Sequence, residues 1–220
     1  MILNGGGLRG LVATAVLLDQ APRAMPELLH LVDGRDAAPL RREYLQRQAD
    51  HFALREVREL ERPYLYGSPT ARQPDGLPHA ALATPRLLLE ALAVARQRRA
   101  EQLVWPISVD AQTDPLAEAQ ERQILVQQLS DLEVAGQNEA GEASTGQGNG
   151  SCELTVPLLG YSDAQLIQLG QGLGVPWEIA WSCLLNASQQ CGSCPACRRR
   201  RRAFEAAGVI DPVFAVGRRR

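Results

Sequence analysis

Four cysteines near the C-terminal end of the chain have the spacing of a metal site. They are Cys183, Cys191, Cys194 and Cys197, and the last three form two overlapping C-x-x-C turns. Such a turn directs its sulfurs toward one point and presents backbone N–H groups to them. Four thiolates without a competing histidine suit a closed, tetrahedral, structural zinc site. The sequence therefore predicts a structural Zn²⁺ held by these four residues.

Two other states of these cysteines stay open at the level of sequence. An iron–sulfur cluster uses the same four ligands, and four reduced thiols need no metal at all. Disulfides are disfavoured because the sequence has no secretory signal pattern, so we expect a reducing, cytoplasmic setting. No apolar run reaches the length of a membrane span, so no membrane partner is expected.

A second candidate site is the glycine-rich segment at the start of the chain, between a short apolar strand and an apolar helix. A glycine loop at a helix N-terminus lets backbone N–H groups bind phosphate, and the crevice then lies at the carboxyl ends of the strands. A tight turn kept for strand–helix packing explains the same glycines equally well. The nucleotide-binding hypothesis covers Gly5, Gly6, Gly7, Leu8, Arg9 and Gly10.

The basic residues limit the chemistry that is available, because all 23 are arginine and the chain has no lysine. Schiff-base chemistry on lysine is thereby excluded, and any cationic role falls to arginine. The catalytic residues stay unknown. The candidates are Arg9 and Arg86, together with Asp33 and Asp114 at predicted strand ends, where capping explains both carboxylates equally well.

Charge is unevenly distributed along the chain. Residues 198–220 contain eight arginines against two acids, a net charge of +6, while the remaining 197 residues carry −8. A basic tail next to the cysteines favours an anionic partner, either the phosphates of nucleic acid or those of ATP. Within the run 198–202, Arg200 is the residue that we single out. A solvated arginine surface is the competing interpretation.

The alternation of strand and helix patterns predicts an α/β fold with a mostly parallel sheet and helices on both faces. A nucleotide-binding domain is expected over residues 1–175, followed by a small zinc-binding lobe over 176–220. The polar, glycine-rich segment 134–151 is expected to be a disordered insertion. Strands are predicted at 1–4, 28–32, 57–60, 103–109 and 153–158.

Helix signals are spaced between these strands. Ser162 and Gln165 form a capping box for a helix that ends near Leu173, and Gly174 is the predicted stop. The pair Asp114-Pro115 is expected to begin another helix, which reaches to about Leu132.

The C-terminal motifs resemble those of the 7-cyano-7-deazaguanine synthase family, which belongs to the PP-loop ATP pyrophosphatases with an adenine nucleotide alpha hydrolase-like fold. The resemblance rests on residues 177–183 (Trp-Glu-Ile-Ala-Trp-Ser-Cys), on 191–197 (Cys-Gly-Ser-Cys-Pro-Ala-Cys), and on Arg200 and Asp211-Pro212. It implies queuosine biosynthesis. It also implies ATP- and Mg²⁺-dependent conversion of 7-carboxy-7-deazaguanine and ammonia to the nitrile, with a cysteine-ligated zinc.

The phosphate loop departs from the family pattern, which reads Ser-Gly-Gly-x-Asp-Ser. Here Gly5 and Gly10 stand at the serine positions, and Arg9 stands at the aspartate. Of the family's Pro-Gly-Arg-Asn motif only Arg86 is kept, and the lysine expected near Asp163 is missing. Two hypotheses follow: a synthase-like ligase with a deazapurine substrate, or an inactive zinc-stabilised binding or assembly module. Whether the chain forms a homodimer is left open.

Overall fold

The computed structural model describes residues 1–32, 37–61, 83–108, 116–139 and 151–215. Five parallel strands form one sheet, in the order β3-β2-β1-β4-β5. The central strand is β1, in which Ile2 lies opposite Leu28 on one side and Val104 on the other. The strands are β1 (Ile2–Leu3), β2 (Leu28–Val32), β3 (Val57–Glu61), β4 (Gln102–Val104) and β5 (Glu153–Thr155).

Helices follow the strands and cover both faces of the sheet. In chain order they are α1 (Leu8–Gln20), α2 (Ala38–His51), α3 (Ala83–Gln97), α4 (Leu116–Glu139), α5 (Asp163–Gly172), α6 (Pro195–Ala207) and the short α7 (Pro212–Ala215), with a 3₁₀ turn at Trp177–Ile179. Among the helices in the described ranges, none is both long and apolar enough to cross a bilayer.

Successive side chains of a strand point to opposite faces of the sheet, so neighbouring residues pack against different helices. Ile2 and Leu28 belong to a buried cluster shared with α1, α2, α5 and α6. Leu3 and Leu29 belong to a second cluster shared with α3 and α4. The predicted parallel sheet with helices on both faces is therefore confirmed.

The strand order reverses at β1, and this reversal creates the crevice. After α1 and α2 the chain has built β2 and β3 on one side of β1. After α3 it returns to place β4 on the other side. In open parallel sheets, ligands bind where the connections diverge, outside the carboxyl ends of the two strands. Here that position is flanked by the glycine segment after β1 and by Pro106 after β4.

Local signals placed several element boundaries correctly. The Ser162 side chain accepts from the Gln165 amide and the Gln165 side chain accepts from the Ser162 amide, so the predicted capping box is confirmed. Its helix ends at Gly172, and Gly174 follows with a φ of +67°. By contrast, β4 ends at Val104 and does not reach the predicted 109, because Pro106 has no N–H for a ladder bond.

The expected disorder of segment 134–151 is wrong for its first part. Residues 134–139 continue α4, which runs well past the predicted end near Leu132. Ala135 and Glu133 are good helix formers, and a helix that is already nucleated extends at little cost. Residues 140–150, like Asp33 and Asp114, lie outside the described residues. The boundary between the two predicted domains at 175/176 stays a prediction.

Candidate functional site

The four predicted cysteines come together in space. Their sulfurs all lie within 4.8 Å of one another, so they could hold a metal ion. Cys191 and Cys197 sulfurs are 3.9 Å apart, and those of Cys183 and Cys194 are 4.0 Å apart. Cys183 follows the 3₁₀ turn, Cys194 caps the N-terminus of α6, and Cys197 lies in the first turn of that helix.

Backbone N–H groups point at these sulfurs, as the double turn requires. The Cys194 amide donates to Cys191 Sγ at 3.3 Å, and the Cys197 amide donates to Cys194 Sγ at 3.4 Å. The Ser193 hydroxyl also donates to Cys191 Sγ, and this bond, together with the one from the Cys194 amide, lowers the pKa of Cys191 to about 5. Burial instead raises the pKa of Cys197. Donors around a sulfur favour the thiolate, which is the metal-binding form.

A buried arginine holds separate segments of the cysteine lobe together. Arg200 has no exposed side-chain surface, and its Nε and Nη2 donate to the two oxygens of Asp211 at 2.7 and 2.9 Å. The same guanidinium donates to the carbonyls of Ala180 and Trp177. Arg200 is therefore a structural clamp and cannot contact nucleic acid phosphates. Arg198, Arg201 and Arg202 are the exposed members of the run.

The cysteine lobe is in direct contact with the glycine loop. The Trp181 amide, two residues before Cys183, donates to the Gly6 carbonyl at 2.8 Å. The Trp181 ring packs against Cys183 and Cys197 and lies 5.1 Å from the Tyr44 ring on α2. Trp181 therefore packs the cysteine lobe against α2. The two candidate sites are consequently one connected region.

Buried polar side chains hold the glycine loop in shape. Asn4 Oδ1 accepts from the Gly6 amide, and Asn4 Nδ2 donates to Gln48 Oε1, both at 2.9 Å. Gln48 Nε2 donates in turn to the carbonyls of Gly6 and Ile179. Gly6 has a φ of +72°, and a Cβ there would lie 2.4 Å from the Arg41 carbonyl oxygen, so only glycine fits.

Gly10 is required for a different reason, namely the position of the Asn4 side chain. A Cβ at Gly10 would lie 2.2 Å from Asn4 Oδ1. Asn4 is 3% exposed, and both Oδ1 and Nδ2 of its side chain already form hydrogen bonds. The side chain cannot move away without losing those bonds. The loop conformation and the absence of a side chain at position 10 therefore depend on each other.

The glycine loop forms one wall of a pocket of about 290 Å³. Arg9, in the first turn of α1, lies 3.5 Å from Asp163, whose carboxylate also receives Nε and Nη2 of Arg199 at 2.5 and 3.0 Å. Arg41 also lines the pocket. The first-turn N–H groups of α1 have no intrahelical acceptors, and no side chain caps this end of the helix.

The other sequence candidates lie elsewhere or cannot be placed. Arg86 is an exposed residue near the start of α3, on the face of the sheet opposite α1, and is not among the pocket-lining residues. Asp33 and Asp114 lie outside the described residues. Sequence reasoning missed Asn4, Gln48 and the Asp163–Arg199 pair as parts of the site. The glycines pointed to the loop but not to the side chains that shape it.

Known proteins resemble this chain in sequence mainly over its C-terminal part. The family model "Queuosine biosynthesis protein QueC" matches residues 132–208. The 7-cyano-7-deazaguanine synthase of Thermosynechococcus vestitus is 40% identical over 82 residues, which are 36% of this chain and 35% of that protein. The same enzyme of Nostoc punctiforme is 43% identical over 61 residues, 28% of this chain and 27% of the relative. The match spans about a third of these relatives.

A solved structure supports the fold independently. The U34-tRNA thiolase NcsA from Methanococcus maripaludis, described with its 4Fe–4S cluster, matches 93% of this chain and 62% of its own, with a TM-score of 0.52. At 11% sequence identity this likeness concerns the fold alone. Taken together, the matches confirm the resemblance to the 7-cyano-7-deazaguanine synthase family, and its sequence part is carried by the segment from α4 to the C-cap of α6.

Proposed function

We propose that this chain acts in queuosine biosynthesis as a relative of 7-cyano-7-deazaguanine synthase, in the cytoplasm. Nucleotide binds over Gly5–Gly10, and a deazapurine is the second substrate. The observation that carries this proposal is the hydrogen bond from Trp181 to Gly6. It joins the segment that matches the synthases to the glycine loop at the switch point of the sheet, where nucleotides bind in such folds.

The pocket offers two kinds of protein group that can bind phosphate. The unpaired N–H groups at the start of α1 bind anions whatever the neighbouring side chains are. Guanidinium groups of Arg9, Arg41 and Arg199 line the same pocket and bind phosphate oxygens bidentately. ATP bound here would present its α-phosphate to a carboxylate substrate. Transfer of the adenylyl group then forms an acyl-adenylate and releases pyrophosphate, and ammonia displaces AMP to give the amide. A second ATP adenylylates the amide oxygen, again with release of pyrophosphate, and loss of AMP with a proton from the nitrogen leaves the nitrile.

Turnover is the direct test of this function. The full chain is incubated with ATP, Mg²⁺, 7-carboxy-7-deazaguanine and ammonium, and AMP, pyrophosphate and the nitrile product are measured. We expect AMP release that Gly6→Val abolishes, because a branched side chain cannot adopt the Gly6 backbone conformation. Gly172→Ala is the matched control, since a Cβ there meets nothing within 4 Å. No AMP release at stoichiometric enzyme would contradict the enzymatic proposal.

A second candidate function is an inactive relative that acts as a binding or assembly module. It is favoured by the Arg9–Asp163–Arg199 ion cluster. Asp163 is the one carboxylate among the described residues that line the pocket, and two guanidiniums engage it, so it is a poor ligand for Mg²⁺. This interpretation expects no AMP release from the wild type. Combining Gly5→Ser, Arg9→Asp and Gly10→Ser with Asn4→Ala then tests whether the loop alone accounts for the loss.

For the four cysteines we propose a structural zinc ion. Four thiolates at about 2.3 Å from one ion lie about 3.8 Å apart in a tetrahedron, and two of the sulfur pairs are separated by 3.9 and 4.0 Å. A cubane of irons and sulfides must fit between its four cysteines and holds them further apart. Elemental analysis should give one zinc per chain, whereas iron with visible charge-transfer absorption would favour the cluster.

A further inference from the structure

We propose that the outward face of α6 binds the phosphate backbone of a nucleic acid, without reading its sequence. This basic face consists of Arg198, Arg201 and Arg202, which are all exposed. None of the three is among the residues that line the pocket over the glycine loop. The basic face is therefore a second surface of the molecule, and its binding does not depend on turnover of ATP in that pocket.

Helical geometry sorts the five consecutive arginines of α6 into different roles. Arg200 is buried against Asp211, and Arg199 is bonded to Asp163 beside the pocket. The members of the basic face stand at i, i+3 and i+4 counted from residue 198. Residues with this spacing are neighbours on one side of a helix. The run therefore presents three guanidiniums side by side and directs the other two inward.

The positive charge of the basic face is poorly compensated. Glu205 lies one turn after Arg201, and the nearest distance between their charged atoms is 4.0 Å. Arg198 and Arg202 pair with no carboxylate of the residues that the structure describes. Three arginines and one glutamate on this side of the helix give a net charge of +2. An anionic partner is the group that would balance it.

Two other helices show how exposed arginine is compensated elsewhere in the chain. Arg47 on α2 lies 2.5 Å from Glu43, and Arg122 on α4 lies 2.6 Å from Glu118, one turn away in both cases. By contrast, α6 has no acidic residue in its first turn and no such close pair along the basic face. Like charges one turn apart repel, and positive charge near a helix N-terminus opposes the helix dipole. A bound polyanion would relieve both.

The first member of the basic face is held in position. Arg198 Nη1 donates to the Ser193 carbonyl at 2.7 Å. Ser193 adjoins Cys194, whose sulfur caps the N-terminus of α6. The bond to a neutral carbonyl leaves the positive charge of Arg198 uncompensated and uses one of the five N–H donors of its guanidinium. A side chain that is already ordered loses less conformational entropy when it binds a ligand.

The composition of α6 favours nucleic acid over a membrane or a protein partner. Its apolar residues Cys197, Ala203 and Phe204 are buried in the fold. The basic face therefore has no apolar side chains to enter a bilayer or to form the centre of a protein interface. Guanidiniums bind phosphate oxygens bidentately, and residues 198 and 202 are about 6 Å apart along the helix axis. Contacts of this kind bind a phosphate backbone and carry no sequence information.

Fluorescence anisotropy of a labelled oligouridine tests this proposal on the full chain, with salt raised from about 50 to about 200 mM. With three phosphate contacts, affinity for the oligouridine should fall about twentyfold over this range. The variant Arg198→Gln, Arg201→Gln, Arg202→Gln should bind more weakly, and its plot of log K against log salt should be less steep by about 2. Glutamine is a good helix former, so circular dichroism and metal content should stay unchanged.

The matched control removes the same charge from the other end of the sheet. Arg23, Arg55 and Arg99 are exposed residues in the connections that lead into β2, β3 and β4. Because the strands are parallel, these connections lie at the edge opposite the glycine loop. Replacing all three with glutamine should leave both the affinity for oligouridine and its salt dependence as in the wild type.

Several outcomes would overturn the proposal. They are no oligouridine binding at about 50 mM salt, equal salt dependence in the wild type and the basic-face variant, and an equal loss of affinity in the control. Binding to phosphatidylserine vesicles without binding to oligouridine would indicate a membrane surface instead. Dimerisation at low salt that the basic-face variant abolishes, again without oligouridine binding, would indicate a second copy of the chain. AMP release should be the same in the basic-face variant and the wild type, so failure of the proposed function is measured separately.

Discussion

The cysteine lobe and the glycine loop are in contact, yet they differ in how far their residues fit the chemistry that the family resemblance implies. The lobe keeps every ligand type that a metal needs, with four sulfurs converging and Arg200 anchoring them. The glycine loop keeps a positive φ at Gly6 and an uncapped α1 N-terminus, but it has glycine or arginine where the resemblance to the synthases leads us to expect serine and aspartate. A metal site depends on the identity of its ligands, whereas anion binding by backbone N–H groups does not depend on the side chains around them. The difference between the two regions is therefore the one that these two kinds of site would allow.

The largest expected effect concerns the metal. Cys194→Ser should lose the bound ion and with it folding free energy on the order of 10 kcal/mol, giving unfolded or aggregated protein. Cys152→Ala is the matched control, since Cys152 is a buried thiol outside the cysteine lobe, in the core cluster that the sheet shares with α3 and α4. Metal content by mass spectrometry and far-UV circular dichroism measure both. A folded Cys194→Ser protein that is as stable as the control would show that the cysteines hold no structural ion.

The next effect tests the clamp that Arg200 and Asp211 form within the cysteine lobe. Arg200→Ala leaves Asp211 buried without its partner and should cost about 3–5 kcal/mol in denaturant unfolding, because an uncompensated buried charge remains. Replacing both residues, with Arg200→Met and Asp211→Leu, should recover much of this loss. Arg201→Ala on the exposed face of α6 should change stability by less than about 0.5 kcal/mol. An equally small effect at Arg200 would contradict the clamp.

A smaller effect is expected at Gly10 in the glycine loop, where the Asn4 side chain leaves no space for a Cβ. Gly10→Ser should destabilise the chain by about 1–3 kcal/mol, because its Cβ overlaps the Asn4 side chain. Asn4→Ala in the same molecule removes the overlapping atoms, so the double variant should be more stable than the sum of the two single changes predicts. A double-mutant cycle on thermal unfolding measures this coupling. Strict additivity would mean that Asn4 does not exclude a side chain at position 10.

The smallest effect concerns an exposed ion cluster away from both sites. Hydrogen bonds from Arg98 and then Arg58 lower the pKa of Glu27. Because the folded-state pKa is depressed, the stabilisation is present above the unfolded pKa and is lost as pH falls through the folded value. Glu27→Gln should flatten this part of the stability profile in acid, with a smaller loss of stability than Gly10→Ser causes. An unchanged acid profile would show that solvent screens the cluster fully.

Prediction from sequence succeeded where a local rule was sufficient. The capping box at Ser162, the stop at Gly174 and the strand at 28–32 each follow from a few neighbouring residues. The convergence of the four cysteines follows from short spacing. The end of α4 was misjudged, because low complexity in 134–150 outweighed the helix propensity of its first residues. Arg200 was misassigned because a run of five arginines gives no sign of which one faces inward.

The sequence by itself determined the ligand types, the parallel α/β architecture and the position of the glycine loop, since these depend on residue identity and short-range periodicity. Only the tertiary structure decided that Asn4 and Gln48 shape the loop, that Arg200 is buried against Asp211, and that Arg9 and Arg199 meet at Asp163. Those partners are separated by 11 to 154 residues. Contacts at such separations depend on how the helices pack over the sheet, which local patterns do not specify.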